Sequence, residues 1–210
     1  MKILVATRNP GKEREIRDLF AGIPFQLVFP ADQFLEPLPE EADVEHNATF
    51  VENAVAKVRY FARRGGMPTI AEDSGLEVDA LNGAPGAHSA RFAALYGGER
   101  RENEGADAAN NALLLKRLEG VPEEQRTARY RCVVAYLDTA VGTPQLVEAV
   151  CEGRILTAPV GTGGFGYDPL FWCTDLQMTF AEAPLAAKQR VSHRGRAMRA
   201  LIEVLVRRYT

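Results

Sequence analysis

The sequence predicts an α/β fold, a mixed β-sheet flanked by helices. Three observations predict it. Short apolar runs rich in β-formers alternate with amphipathic stretches at helical spacing; two long strand-like runs follow one another late in the chain; and caps, glycines and prolines separate the segments. The 210 residues suffice for one large domain with a real core, and 1–210 is read as a single domain.

"KILVAT" (2–7) reads as a buried strand. "NPGKEREIRDLF" (9–20) is a helix that Asn9 caps, with Ile16, Leu19 and Phe20 on one face and Gly22 and Pro24 beyond its end. "FQLVF" is a second strand, followed by a proline-punctuated acidic loop, "EPLPEEADVE". Thr49 and Glu52 form a capping box for a helix whose apolar positions are Phe50, Ala54, Val58 and Phe61, stopped by Gly65-Gly66. "TIAEDSGLEVDAL" (69–81) reads as strand, loop, strand. "GAPGAHSARF" is rich in turns, and "ADAANNALLLKRLEG" is an amphipathic helix. "ARYRCVVAYLD" and "QLVEAVCEGRIL" are strands joined as a hairpin. "SHRGRAMRALIEVLVRRY" is a final helix with a serine cap and C-terminal arginines.

Bulk properties exclude several classes. A net charge of −3 argues against a nucleic-acid scaffold but leaves room for a local basic pocket. Cys132, Cys151 and Cys173 are odd in number, widely spaced and without a C-x-x-C pair. They read as buried free thiols in a reducing compartment, with no disulfide framework and no cysteine zinc site. His46 and His88 lack ligand spacing. "MKILVA" is too short for a signal peptide and no run reaches transmembrane length, so a cytoplasmic protein without a membrane partner is expected.

"GTGGFGYDP" (161–169) matches G-x-G-x-x-G, yet the dinucleotide reading fails. That motif must open a helix, whereas "YDPLFW" follows the last glycine and reads as turn and strand. The glycines serve equally as a tight turn or as a backbone that approaches a ligand, with Phe165 or Tyr167 stacking on a flat base.

Four clusters carry chemistry. Thr7, Asn9 and Lys12 lie where strand meets helix, as in a phosphate cradle, although a capped helix with a surface lysine explains them alone. Glu45, Glu72 and Asp73 are hard-oxygen candidates for Mg²⁺. On extended backbone Glu72 and Asp73 point to opposite faces, and Asp73, beside the Ser74-Gly75 turn, is the better candidate. Lys57 lies one turn beyond Asn53, facing either a phosphate or water. Lys188, Ser192, His193 and Arg194 gather cations beside a helix start, an arrangement that invites an anion. Together they describe a nucleoside triphosphate site.

"ATRNPGKEREI", "TFVENAVAK", "AEDSGLEVDALNGAPGAHSARFA", "GTGGFGYDPLF" and "KQRVSHRGRAMRAL" resemble, in order, the motifs of the inosine triphosphate pyrophosphatase family. The resemblance implies an elongated, two-lobed fold around a long mixed sheet, and a homodimer. It implies Mg²⁺-dependent hydrolysis of ITP, dITP and XTP to monophosphate and pyrophosphate. By motif position Thr7, Arg8, Asn9, Pro10, Gly11 and Lys12 bind the triphosphate, assisted by Lys57. Asp73 is the general base and, with Glu45, the metal-associated acid, and Ser74 lies beside it. Phe165, Gly166, Tyr167, Asp168, Lys188, His193 and Arg194 hold the nucleotide. Two departures stand out: Glu45-His46-Asn47 where the family often has E-T-G, and Glu72-Asp73 where it has paired aspartates. The rival readings are a Maf-like pyrophosphatase with another base preference and a non-catalytic nucleotide-binding module.

Overall fold

The computed structural model describes residues 1–99 and 105–210. Its strands form one seven-stranded sheet in the order β2-β1-β3-β4-β5-β6-β7. β1 (Lys2–Val5) pairs parallel to β2 (Gln26–Val28) and to β3 (Thr69–Val78). β5 (Gln145–Ile155), β6 (Phe171–Cys173) and β7 (Met178–Thr179) are antiparallel, so the sheet is mixed. β4 (Thr127–Leu137) lies between β3 and β5. The parallel pairs need crossovers, and α1 (Pro10–Leu19) and α2 (Phe50–Gly65) lie in those connections.

Local signals set the helix ends. Asn9 accepts hydrogen bonds from the Gly11 and Lys12 N–H groups at the start of α1. Thr49 and Glu52 make the reciprocal capping box of α2, and Gly66 ends it at φ 63°. Phe50, Ala54, Val58 and Phe61 are all buried, as their spacing predicts.

The chain divides into two compact units. The first comprises Met1–Asp73, Cys132–Ala149 and Arg194–Thr210; the second comprises Ser74–Arg131 and Val150–His193. In the first, Ile16 and Phe20 of α1 pack with Ile70, Val134 and Tyr136 of the sheet and with Met198, Leu201 and Leu205 of α6 (His193–Tyr209). In the second, α3 (Phe92–Leu95) and α4 (Ala106–Arg117) cover a core that includes Leu76, Leu113, Leu114, Tyr167, Phe171 and Phe180. No described helix is long and apolar enough to cross a membrane.

One expectation is corrected. Residues 69–78 form one uninterrupted strand rather than strand, loop and strand. Ser74-Gly75 makes no turn: β1 pairs with β3 at Thr69 and Ile70 only, and β3 continues extended through these residues next to β4 in the sheet order. Lys188 precedes α6, as expected, and lies within a short helix that the sequence reading did not include, α5 (Leu185–Val191), which ends at Ser192.

Candidate active site

In the first unit the functional side chains are sorted by the two faces of β3. Ile70 packs into the core beside α1 and α6, so Glu72, two residues on, points the same way. There Lys12 Nζ lies 2.8 Å from Glu72 Oε1. Arg194 Nε and Nη2 donate to the Glu72 carboxylate at 3.3 Å each, and Arg194 Nη1 donates to Glu15 at 2.5 Å. The Cys132 thiol donates to Glu72 Oε2 at 3.0 Å. Glu15, Glu72 and Arg194 are all buried. Burial pushes the Glu72 carboxyl up, but Arg194 and Lys12 outweigh it and hold the group well below its ordinary value. Burial likewise opposes the Arg194 charge, and Glu72 and Glu15 more than restore it. Glu72 is a fixed, compensated anion.

Asp73 emerges on the opposite face, toward α2. Asn53, completely buried, donates to Asp73 Oδ2 at 3.0 Å. Lys57, one turn further along α2, donates to the Glu72 carbonyl at 3.1 Å and pairs with Glu45. Burial raises the Asp73 pKa despite the attraction of Lys57 and Lys12. Burial first, and the charge of Lys12 second, lower Lys57 to about 8. This face therefore holds a base that takes a proton more readily than an ordinary aspartate and a lysine close to titration.

The donor set fits a hard divalent cation. Lys12, Lys57 and Arg194 face four carboxylates, those of Glu15, Glu45, Glu72 and Asp73. Asp73 keeps a raised pKa, and Glu45 is partly exposed and paired with Lys57. One or two carboxylates with water and phosphate oxygens make up the usual Mg²⁺ shell.

In the second unit the glycine loop is shaped around Asp168. Asp168 Oδ2 accepts from the Phe165 N–H at 2.9 Å and pairs with Lys188 Nζ at 2.7 Å. Gly164, at φ 73°, has no room for a side chain: an added Cβ would lie 2.0 Å from the same oxygen. The Gly166 peptide is clamped from α4, its N–H donating to Asp107 at 2.7 Å and its carbonyl accepting from Asn111 at 2.9 Å. Lys188 Nζ lies 5.0 Å from the centroid of the half-buried Phe165 ring. His193 stacks on Tyr130 at 4.7 Å.

Several expected site residues have other occupations. Tyr167 is no stacking platform: it is a core residue whose hydroxyl donates to the Ser89 carbonyl at 2.8 Å. Phe165, by contrast, is only half-buried. Arg8 forks onto Glu41 at 2.5 and 2.9 Å. Glu45 closes a short 3₁₀ helix, Pro39–Glu45, rather than standing in an open loop. The cations of the last cluster are individually matched, Lys188 by Asp168 and Arg194 by Glu15 and Glu72. Thr7 Oγ accepts from the Asn9 N–H at 3.2 Å, Pro10 takes the first helical turn, and Gly11 bonds to the Asn9 side chain. Glu15, Asn53, Asp107 and Asn111 went unnamed as site residues in the sequence. The i, i+4 spacing of Asn53 and Lys57 on a buried helical face was the available signal for one of them.

The family model described as the Ham1 family matches residues 3–204. The chain belongs to the Ham1 family. This agrees with the resemblance carried by the five motif blocks. The Ham1 chain is 48% identical over 207 residues to a dITP/XTP pyrophosphatase of Thioalkalivibrio sulfidiphilus, covering 98% of each. It is 48% identical to one of Geobacter sulfurreducens, covering 95% of this chain and 94% of that protein. Its fold matches a HAM1 protein from Coxiella burnetii with a TM-score of 0.83 at 33% identity, over 99% of both chains. It also matches a nucleoside-triphosphatase, dITP/XTP pyrophosphatase, from Mycobacterium abscessus with a TM-score of 0.70 at 41% identity, over 96% of this chain and 98% of that one.

Proposed function

We propose that this Ham1-family chain hydrolyses dITP, ITP and XTP to the nucleoside monophosphate and pyrophosphate with Mg²⁺, removing non-canonical purines from the nucleotide pool. The chain is a nucleoside triphosphate pyrophosphatase. The observation that carries this reading is the division within β3: Glu72 is neutralised by Lys12 and Arg194, while Asp73, on the other face, keeps a raised pKa beside Lys57.

Glu45 and Asp73 would hold the metal, since Glu72 is already taken by three donors. Bound Mg²⁺ supplies charge neutralisation on the phosphate oxygens. Asn53 fixes Asp73 Oδ2, and Oδ1 takes the proton of the water that attacks the α phosphorus. Lys57 and Lys12 place positive charge where the transition state gathers negative charge. Thr7, Asn9 and Gly11 shape the turn that presents Lys12. In the second unit, Phe165 offers a ring face to a purine and Lys188, held by Asp168, offers its charge. The family further suggests a cytoplasmic homodimer with residues 1–210 as one catalytic domain; sedimentation of the purified protein tests the dimer.

The test is pyrophosphate release from dITP, ITP, XTP, GTP, ATP and dTTP, each with and without Mg²⁺, read as phosphate with and without added inorganic pyrophosphatase. Phosphate from dITP, ITP and XTP that appears only with the coupling enzyme and Mg²⁺ is the expected result. Phosphate without the coupling enzyme means γ-phosphate removal and overturns the mechanism. Asp73→Asn should lose roughly 10²-fold or more in turnover, and near-normal turnover would remove Asp73 as the base.

A further inference from the structure

The cysteines, read from the sequence as widely spaced, buried free thiols, are divided by the fold. Cys132 is spent on Glu72 in the first unit. In the second unit Cys151 of β5 and Cys173 of β6 are both completely buried, and their sulphurs lie 3.6 Å apart. The antiparallel register pairs Cys173 with Gly153, so Cys151 is the diagonal neighbour on the same face of the sheet. Asp175, two residues beyond Cys173 in the turn to β7, is exposed, and it brings a carboxylate oxygen within 4.8 Å of both sulphurs.

We propose that Cys151, Cys173 and Asp175 form a binding site for a soft divalent cation of the zinc class. In a tetrahedral site with Zn–S bonds of about 2.3 Å, two sulphurs stand about 3.7–3.8 Å apart. The observed 3.6 Å differs from that by a few tenths of an ångström. A disulfide would instead require closure to about 2.05 Å, a larger change in the separation of the sulphurs. The surroundings point the same way, because Cys151 and Cys173 sit in an apolar core with Leu170, Phe171 and Tyr130. Thiolate charge placed there is costly without a cation to meet it. Asp175 provides the route for the ion and leaves a fourth coordination position to water. The ion would tie β5, β6 and the β6–β7 turn together. Two of its three ligands are soft sulphurs, unlike the all-carboxylate set proposed for Mg²⁺.

The experiment is a titration of the reduced, metal-stripped full-length protein with Co²⁺, followed by its thiolate-to-metal absorption band, and then displacement with Zn²⁺. One equivalent of Co²⁺ with a thiolate band, lost on adding Zn²⁺, is expected. Cys151→Ser and Cys173→Ser should each abolish the band and weaken Zn²⁺ binding by at least roughly 10–100-fold, while Cys132→Ser keeps both. Since serine in this core can unfold the unit, Asp175→Asn on the exposed turn is the second variant. It should retain the fold by circular dichroism and a thiolate band, yet bind Zn²⁺ at least roughly 10-fold more weakly. No thiolate band in the wild type, or binding that survives the loss of Cys151 and Cys173 in folded protein, overturns the proposal. None of these readouts depends on pyrophosphate release, so the site and the enzymatic reading fail separately.

Discussion

Lys57 shows how burial turns an ordinary lysine into a pH-sensitive group. It titrates at about 8 instead of 10.5, so between those values the unfolded chain holds a proton that the folded chain has released. Stability from this group therefore rises with pH across that window, whereas activity that needs the ammonium falls as pH passes about 8. We expect kcat/KM to decline through that pH, and Lys57→Arg to move the alkaline limb upward at lower turnover. An unchanged limb in that variant would remove Lys57 from the catalytic charge set. On the acid side the limb should lie above the ordinary aspartate range, as the raised Asp73 pKa requires. Glu72 has the opposite character. Glu72→Gln leaves Lys12 and Arg194 without their shared carboxylate and should cost about 3–5 kcal/mol, measured by urea unfolding. The acids and lysines of the site were legible as types and spacings in the sequence; their partners were not. Arg194 meets Glu72 across 122 positions of chain, and no local periodicity records such a meeting.

At the scale of elements, caps and turns carry the information that the sequence displays most openly. Asn9, the Thr49–Glu52 box and Gly66 were readable because each acts within three or four residues of itself. Thr49→Ala should accordingly cost about 0.5–2 kcal/mol by thermal or denaturant unfolding. β3 was misread, and α5 went unread, for the complementary reason. Ser74-Gly75 is turn-like in isolation, and only its place in a long strand of the sheet keeps it extended. The seven residues of α5 are too few to show a helical period. The glycine loop lies between these cases. Its failure as a dinucleotide motif was plain from Pro169, but the need for Gly164 appears only with the Asp168 oxygen in place. Gly164→Ala should displace that carboxylate from Lys188 and the Phe165 N–H, destabilise the protein by more than about 1 kcal/mol, and raise KM for the nucleotide. Wild-type KM and stability would show that the loop relaxes freely.

For the whole molecule, the informative fact is that neither unit is a continuous stretch of chain. The first unit gathers three segments and the second gathers two. α6 gives Met198, Leu201, Ile202 and Leu205 to the first core. At roughly 1.5–3 kcal/mol for each buried side chain, that is comparable to the whole stability of a typical domain, about 5–15 kcal/mol. A chain ending at His193 should therefore lose cooperative unfolding in the first unit and expose apolar surface to a hydrophobic dye; a sharp, wild-type transition would contradict the assignment of that core. The same threading gives the protein an unusual schedule during its synthesis. Every residue of the second unit has been made by the time His193 is joined, while the first unit, begun at Met1, still lacks its last segment. Domains of a growing chain commonly complete themselves from the N-terminus onward. Here the unit that is begun earlier is the one that must wait longer to close.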